Sequence, residues 1–265
     1  MRNPVGDPAP SGHGELRPLN ARSLILSALL GTHPPRLPAR SLVAFGELFG
    51  IAGGTMRTAL SRLTAAGELV SDDAWYELTT PMLDRQRSQD AGRRPPSMPW
   101  DGTWYTAISI DDHRPVADRR RDRRRLADHR LGELRPDIWI RPANLPAPQL
   151  GPGWSIVTGP VRGIEDEALV RRLWDLDEIA ATAQRLGDLL RAADALRPAA
   201  SPNDDVTTLP PRFEIAATVL RFLRSEPLLP AELVGGAWPV DGLRRQYATS
   251  EAALQDDLRR FYRQA

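Results

Sequence analysis

The chain has 265 residues, of which 41% are hydrophobic and 26% charged, a composition typical of a water-soluble protein with room for two or three compact domains. It contains no cysteine, which excludes disulfide frameworks, thiolate zinc sites and cysteine nucleophiles. The net charge of +1 gives no overall attraction to nucleic acid, so any DNA affinity must come from local clusters of the 35 basic residues, all of which are arginine.

The N-terminal residues 1–18 are rich in proline and glycine, and no run of about 18 apolar residues is present that could span a bilayer. We therefore expect a disordered N-terminus and a cytoplasmic protein. Residues 21–30 are strongly apolar and are followed by Gly31, which predicts a helix that forms one wall of an N-terminal domain.

Residues 42–49 carry apolar side chains at positions i, i+3, i+6 and i+7, which predicts an amphipathic helix. Ser41 is placed to cap its N-terminus, and Gly50 is placed to end it in the left-handed conformation. After a tight connection at residues 52–54, a second helix is predicted to begin at about Thr55. Two short helices joined in this way are typical of a helix-turn-helix.

The second helix separates an apolar face from a polar one. The inward stripe consists of Met56, Ala59, Leu60 and Leu63. The outward residues, which we predict to contact DNA, are Thr55, Arg57, Thr58, Ser61 and Arg62. Arginine binds guanine bidentately, and short hydroxyl side chains let a helix approach base edges. Arg22 and Arg40 are candidate phosphate contacts. The alternative interpretation is a small helical domain whose surface arginines are merely solvated.

A β-hairpin is predicted next, with strands at residues 69–70 and 75–78 joined through residues 71–74. Two helices followed by a hairpin are the order of a winged helix-turn-helix. The tip of this wing carries Asp72 and Asp73, and carboxylates repel a phosphate backbone. We therefore expect the wing to be structural.

The rest of the chain changes character twice. After a short helix at residues 81–89 and a linker, strands at 104–110, 137–141 and 153–159 accompany an arginine-rich helix at 116–131, an order compatible with a ferredoxin-like unit. Residues 176–177 precede a predicted helix with apolar spacing from 179 to 196, and two further helices are predicted near 212–224 and 250–262. The predicted fold class is multidomain α+β, and its ranges are 1–18 (disordered), 19–90 (winged helix), 91–99 (linker), 100–163 (ferredoxin-like) and 164–265 (helical).

Several blocks of sequence resemble the PaaX family of repressors of phenylacetate degradation. The segment MRTALSRL at residues 56–63 resembles the recognition helix of that family. The other matching blocks, in order, are ARSLI at 21–25, WDGTW at 100–104, DIWIRP at 137–142, WDLD at 174–177, PLLPAEL at 227–233 and WP at 238–239. The similarity is collinear from about Ala21 to Tyr262.

The resemblance implies a dimeric transcriptional regulator that binds an inverted-repeat operator and is released by an aryl-CoA thioester, with the three domains given above. The sequence departs from the family pattern at two places. Its wing is short and acidic, and Ala217 and Thr218 stand where relatives often carry a histidine and an acidic residue before the C-terminal PLLP block.

The densest positive charge lies at residues 119–125, where six of seven side chains are arginine. Arg120, Arg121 and Arg124 are candidates for binding phosphates of a CoA-type ligand or of DNA. The alternative is a solvated helical face paired with neighbouring aspartates.

Two further functions stay open. Asp111 and Asp112 follow a predicted strand, as do the metal-binding carboxylates of small ferredoxin-like nucleases, which makes a metal-dependent nuclease the enzyme alternative. A dimeric scaffold without specific DNA binding is the other. The four histidines have no metal-ligand spacing, so we predict no catalytic residue, metal or cofactor.

Overall fold

The computed structural model of the chain describes residues 18–93, 98–110, 116–197 and 206–265. Within these residues the fold is mixed α/β, with helical N- and C-terminal regions and two antiparallel sheets. One compact unit comprises Met1–Arg93, Arg185–Phe222 and Arg245–Ala265, and the other comprises Arg94–Gln184 and Leu223–Arg244. The C-terminal residues are thus divided between the units, whereas the sequence pattern predicts consecutive domains. Residues 1–17 of the predicted disordered segment lie outside the described residues.

The helices of the described residues are α1 (Ala21–Gly31), α2 (Ala39–Leu48), α3 (Gly53–Ala65), α4 (Thr80–Arg93), α5 (Val116–Asp128), α6 (Asp166–Leu173), α7 (Leu176–Ala195), α8 (Leu209–Ser225), α9 (Ala231–Val234) and α10 (Pro239–Gln264), with a 3₁₀ turn at Val206–Thr208. The strands are β1 (Arg36–Pro38), β2 (Leu69–Asp72), β3 (Trp75–Leu78), β4 (Trp104–Ser109), β5 (Gly132–Arg135), β6 (Ile138–Pro142) and β7 (Trp154–Gly159). The strand order is β1-β3-β2 in the first sheet and β5-β6-β4-β7 in the second.

Helix α1 forms where the apolar run predicts it. The side chain of Asn20 accepts a hydrogen bond from the backbone N–H of Ser23 at 2.9 Å and so caps the helix. Leu24, Ile25 and Leu29 are completely buried. This helix therefore supplies a wall of the first unit's core, as expected.

The start of helix α2 differs from the prediction. The helix begins at Ala39, directly after Pro38, whose backbone is extended (φ −72°, ψ 149°) and which provides no side-chain cap. Ser41 lies inside the first turn, so its predicted capping role is wrong. Its buried hydroxyl instead donates a hydrogen bond to the carbonyl of Tyr262 at 3.2 Å. That partner is remote in the sequence, which is why local pattern does not reveal it.

Strands β2 and β3 form the predicted hairpin. Its turn residues Asp73 and Ala74 have φ values of +42° and +64°, as expected of a hairpin turn with two left-handed central positions. Strand β2 extends through Asp72, two residues beyond the predicted end. Strand β3 also pairs with β1, where Arg36 lies opposite Glu77. The sequence pattern does not predict β1, because the prolines around it are typical of a loop.

Two predicted boundaries are wrong. Helix α4 continues to Arg93, so the predicted linker at residues 91–99 begins inside a helix, and Gly92 does not interrupt that helix. Residues 94–97 lie outside the described residues, as do residues 198–205. Helix α10 begins at Pro239 rather than near residue 250, since proline suits the first helical turn and Asp241 favours it electrostatically.

An aromatic cluster holds helix α2 to helices α8 and α10 within the first unit. Phe45 of α2 is completely buried, and its ring lies edge-on to that of Phe213 at a centroid distance of 5.1 Å. Phe261 and Tyr262 of α10 lie 6.0 and 5.6 Å from the same ring. Pairs at these distances add to the stabilisation from apolar burial alone. The N-terminal helices therefore share a core with C-terminal ones.

Replacement of Tyr262 by phenylalanine tests this core through its pH dependence. The Tyr262 hydroxyl is buried and has no hydrogen-bond partner among the described residues, and burial raises its pKa above the ordinary value of 10.0. The unfolded phenol ionises at about pH 10 and the folded one does not, so its contribution to stability is present below that pH and lost as pH rises.

At pH 7, we expect the free energy of unfolding of Tyr262→Phe to lie within about 1 kcal/mol of that of the parent protein. Above about pH 10, the parent should lose stability relative to the variant by about 1.4 kcal/mol per pH unit. Urea unfolding at pH 7 to 11 measures both. Parallel stability curves over this range would contradict burial of the hydroxyl.

The second unit is built on the sheet β5-β6-β4-β7, which is antiparallel throughout. The core between this sheet and α5 contains Ala107, Leu126, Leu131, Trp139 and Leu150. The core on the other face contains Trp104, Ile140, Leu169, Val170 and Leu233. Residues 143–153 join β6 to β7 without forming a helix. The two cores place apolar layers on both faces of the sheet.

Candidate nucleic-acid interface

Helix α3 carries the predicted DNA-contacting residues, and its inward face fixes its orientation. It begins at Gly53, two residues before the predicted start. Met56, Leu60 and Leu63 are buried, each at 1% exposure or less. Gly50 has a φ of +70°, the left-handed conformation that the sequence pattern predicts at the end of α2.

The outward face of α3 is polar and open. Its exposed residues are Thr55, Arg57, Thr58, Ser61 and Arg62. Within the described residues neither arginine has an ion-pair partner, and α3 contains no acidic residue. The Thr58 hydroxyl donates to the carbonyl of Gly54 at 2.9 Å, which leaves its lone pairs free to accept. The structure thus brings all five predicted side chains to one accessible face.

The separation of α2 and α3 depends on a glycine. An added Cβ at Gly46 of α2 would lie 2.4 Å from Cγ of Met56, whose side chain is completely buried. Only glycine lets the two helices approach this closely without displacing Met56. Gly46 therefore sets the position of α3 relative to α2, a role that the sequence analysis does not assign.

We expect Gly46→Ala to destabilise the protein by about 1 to 2 kcal/mol, because overpacking at Met56 outweighs the gain in helix propensity. Gly54→Ala is the matched control: its added Cβ has no atom within 4 Å, and it should be neutral or stabilising. Urea unfolding of both variants makes the comparison. Equal stability of the two would mean that the contact with Met56 is not limiting.

The two predicted phosphate contacts outside α3 have different surroundings. Arg22 is engaged by Glu68, whose carboxylate oxygens lie 2.5 and 2.6 Å from one guanidinium nitrogen. An arginine held in this way must give up an ion pair before it contacts phosphate. Arg40 is exposed and has no ion-pair partner in the part of the chain that the structure describes. Arg40 is therefore the better placed of the two.

The hairpin presents an acidic and apolar surface. Asp72 pairs with Arg36 at 3.3 Å, and the Arg36 guanidinium lies 5.0 Å from the ring centroid of Trp75. Trp75 is 41% exposed and Val70 54% exposed. The sequence pattern does not predict a role for Arg36. The signal that could have revealed it is Leu37, an apolar residue between prolines, because prolines in a strand are confined to sheet edges.

The three predicted phosphate-binding arginines of helix α5 differ in whether they are paired with a carboxylate. Arg121 pairs with Asp118 at 3.2 Å, one turn before it. Arg120 and Arg124 are exposed and without an ion-pair partner within the described residues. Two of the three guanidinium groups are thus available, and the third is partly neutralised, as the solvated-face alternative expects.

The enzyme alternative gains no support in the described residues. Asp111 and Asp112 lie outside them. Among the residues that are described, no group of three or more histidine, aspartate or glutamate side chains is arranged to hold a metal ion. In the same residues, every helix is too short or too polar to cross a membrane.

Comparisons with known proteins agree with the resemblance seen in the sequence. A family model described as PaaX-like protein matches residues 20–81, which span α1 to the start of α4. This chain is 33% identical in sequence to the uncharacterized protein Rv0674 from Mycobacterium tuberculosis, whose structure has been solved. The match covers 91% of this chain and 98% of the Rv0674 chain, with a TM-score of 0.71. The chain belongs to the PaaX-like family. No curated protein matches it.

Membership of the PaaX-like family confirms the resemblance and gives the chain a regulatory role, since the family consists of transcriptional regulators. The family is regulatory rather than enzymatic. The matched region contains the open face of α3, the polar surface that the sequence analysis predicts to contact DNA.

Proposed function

We propose that this PaaX-like protein is a DNA-binding transcriptional repressor whose recognition helix is α3. The observation that carries the proposal is the exposed face of α3, where Arg57 and Arg62 are free of ion pairs within the described residues and Thr58 and Ser61 are short enough for close approach. Helices α1 to α3 with the sheet β1-β3-β2 act as a winged helix-turn-helix. The acidic hairpin then serves as a structural wing.

Each side chain has a defined role in this proposal. Arg57 and Arg62 donate to guanine O6 and N7 in the major groove, and Thr58 and Ser61 contact neighbouring base edges. Arg40 and the backbone N–H of Thr55 contact phosphates and so fix the register of the helix on DNA. Arg22 would join them only after release from Glu68.

The protein acts in the cytoplasm as a homodimer without enzymatic activity. A two-fold dimer places two copies of α3 in successive major grooves, which requires an inverted repeat with half-sites about 34 Å apart. An aryl-CoA-type effector, as the family resemblance implies, would bind the ferredoxin-like second unit and place its phosphates near Arg120, Arg121 and Arg124. It would release DNA by binding better to the arrangement that does not fit the operator.

Fluorescence anisotropy of the full chain with its own upstream DNA and with scrambled DNA tests the proposal. We expect binding to the upstream DNA to be tighter by at least about a thousandfold, and to weaken steeply with salt as counterions are released. Weak and equal binding to both DNAs would contradict it and favour a dimeric scaffold, a function that the acidic hairpin would suit.

A further inference from the structure

The face of helix α5 that packs on the sheet is apolar at Leu126 but charged toward the N-terminus of the helix. Leu126 is buried in the core between α5 and the sheet. One and two turns earlier, the same helical face carries Asp122, Arg123 and Arg119. These side chains do not close over the sheet as leucines would. A cleft of about 270 Å³ is left between this part of α5 and the strands.

Two indole rings line the cleft. Trp139 of β6 is 8% exposed, and Trp154 of β7 is half-buried. Strand β4 runs between β6 and β7, with Ala107 opposite Trp139 and Ser109 opposite Trp154, so all four side chains share the sheet face that α5 covers. Both indoles therefore form the sheet side of the cleft, which we call the slot.

Three arginines and three carboxylates line the slot, and two of the arginines are without an ion-pair partner within the described residues. The Arg123 guanidinium lies 3.3 Å from the Glu133 carboxylate, which neutralises it. Arg119 and Arg120 also line the cleft, and neither has a partner within the described residues. Asp122 and Asp137 also line the slot, and each of them takes part in an interaction within the protein. Two guanidinium groups therefore remain for an anion.

We propose that this cleft binds a small ligand consisting of a planar aromatic ring with one anionic group, a carboxylate or a phosphate. The ring lies against Trp139 and Trp154, and the anion is bound by Arg119 and Arg120. The volume lies just below the range of about 300 to 1,000 Å³ usual for drug-sized ligands, so a substituted ring fits, whereas a whole CoA thioester would extend beyond it. The slot shares Arg120 with the effector contact proposed above and in that respect rests on the proposed function, but ligand binding to it is measured without DNA.

The side-chain indole N–H resonances of the full-length protein provide the test, because they report on the two aromatic walls directly. Trp139→Phe and Trp154→Phe assign the two resonances. The probes are 2-naphthoate, an aromatic carboxylate, and adenosine 5′-monophosphate, an aromatic phosphate. The controls are 2-naphthol, which lacks the negative charge, and inorganic phosphate, which lacks the ring. At least one aromatic anion should shift both resonances at concentrations below about 10 mM, and 2-naphthol and phosphate should bind at least about tenfold more weakly.

Arginine variants test the anion contact. Arg119→Ala/Arg120→Ala should weaken binding of the active probe by at least about tenfold, whereas Arg171→Ala/Arg172→Ala, which removes two exposed arginines from α6, should change it by less than about twofold. The proposal is overturned if neither aromatic anion shifts the two resonances, if 2-naphthol binds as tightly as 2-naphthoate, or if both arginine pairs have equal effects. None of these outcomes bears on DNA binding, so the two proposals fail separately.

Discussion

Replacing Arg57 and Arg62 together by alanine should weaken binding to the specific operator by about 2 to 6 kcal/mol, since each bidentate contact with guanine is worth about 1 to 3 kcal/mol. Both side chains are exposed on the polar face of α3, whose buried residues are not altered. The fold should therefore be retained, and the loss should appear in the affinity for the operator much more than in that for scrambled DNA. Fluorescence anisotropy at constant salt measures both.

The matched control is Arg171→Ala/Arg172→Ala, which removes the same charge from exposed positions on another helix. It should leave the ratio of operator to scrambled affinity unchanged. A further distinction comes from the single variants: if Arg57 reads a base, Arg57→Lys should lose most of the discrimination, because lysine lacks the bidentate fork. If both double variants lost affinity equally, α3 would not be the recognition helix.

The second large effect is expected at a buried carboxylate in the second unit. Glu226 is 3% exposed, and its carboxylate accepts hydrogen bonds from Arg244 and from the backbone N–H of Leu228. Arg130 donates to the carbonyls of Arg224 and Glu226. Burial lowers the pKa of Arg130, and the charge of Glu226 opposes that shift. One carboxylate thus balances two buried guanidinium groups.

We expect Glu226→Ala to lower the free energy of unfolding by about 3 to 5 kcal/mol, because it leaves Arg130 and Arg244 buried without their shared anion. Asp241, 3.1 Å from Arg244, is itself 42% exposed and compensates only in part. Urea unfolding followed by circular dichroism measures the loss. Glu232→Ala, at an exposed position of α9, is the control and should stay within about 0.5 kcal/mol. A small effect of Glu226→Ala would mean that water or a rearranged loop solvates the two arginines.

The helices of the first unit could be predicted from sequence because their signals are local. Helical spacing and Gly50 identify α2 and α3, and the same spacing gives the outward set on α3. The ion pair between Arg22 and Glu68 joins residues far apart in the chain, so no pattern around Arg22 indicates it. The role of Ser41 and the presence of β1 are not predictable for the same reason. Ser41 depends on Tyr262 and β1 depends on β3, and only the folded chain brings these partners together.

The second unit shows where composition misleads. The arginines of α5 are equally charged in the sequence, yet in the structure Arg121 and Arg123 pair with acidic residues and Arg119 and Arg120 border a cleft. Which of them are available depends on the faces of the helix and on Glu133 of the neighbouring strand. Leu126 is buried on α5, but the indoles opposite the charged turns of that helix come from strands β6 and β7, which local sequence does not place beside it.

The shared aromatic core limits how this protein can be divided for study. Helix α2 contributes Phe45 and Phe49 to a cluster completed by Phe213, Phe261 and Tyr262 from the last helices. A fragment ending at Arg93 would keep every proposed base-reading side chain but leave two phenylalanine rings without their neighbours. Such a fragment would present an adhesive apolar surface to other copies of itself. Work on the DNA contacts therefore calls for the intact polypeptide, with point substitutions in place of truncations.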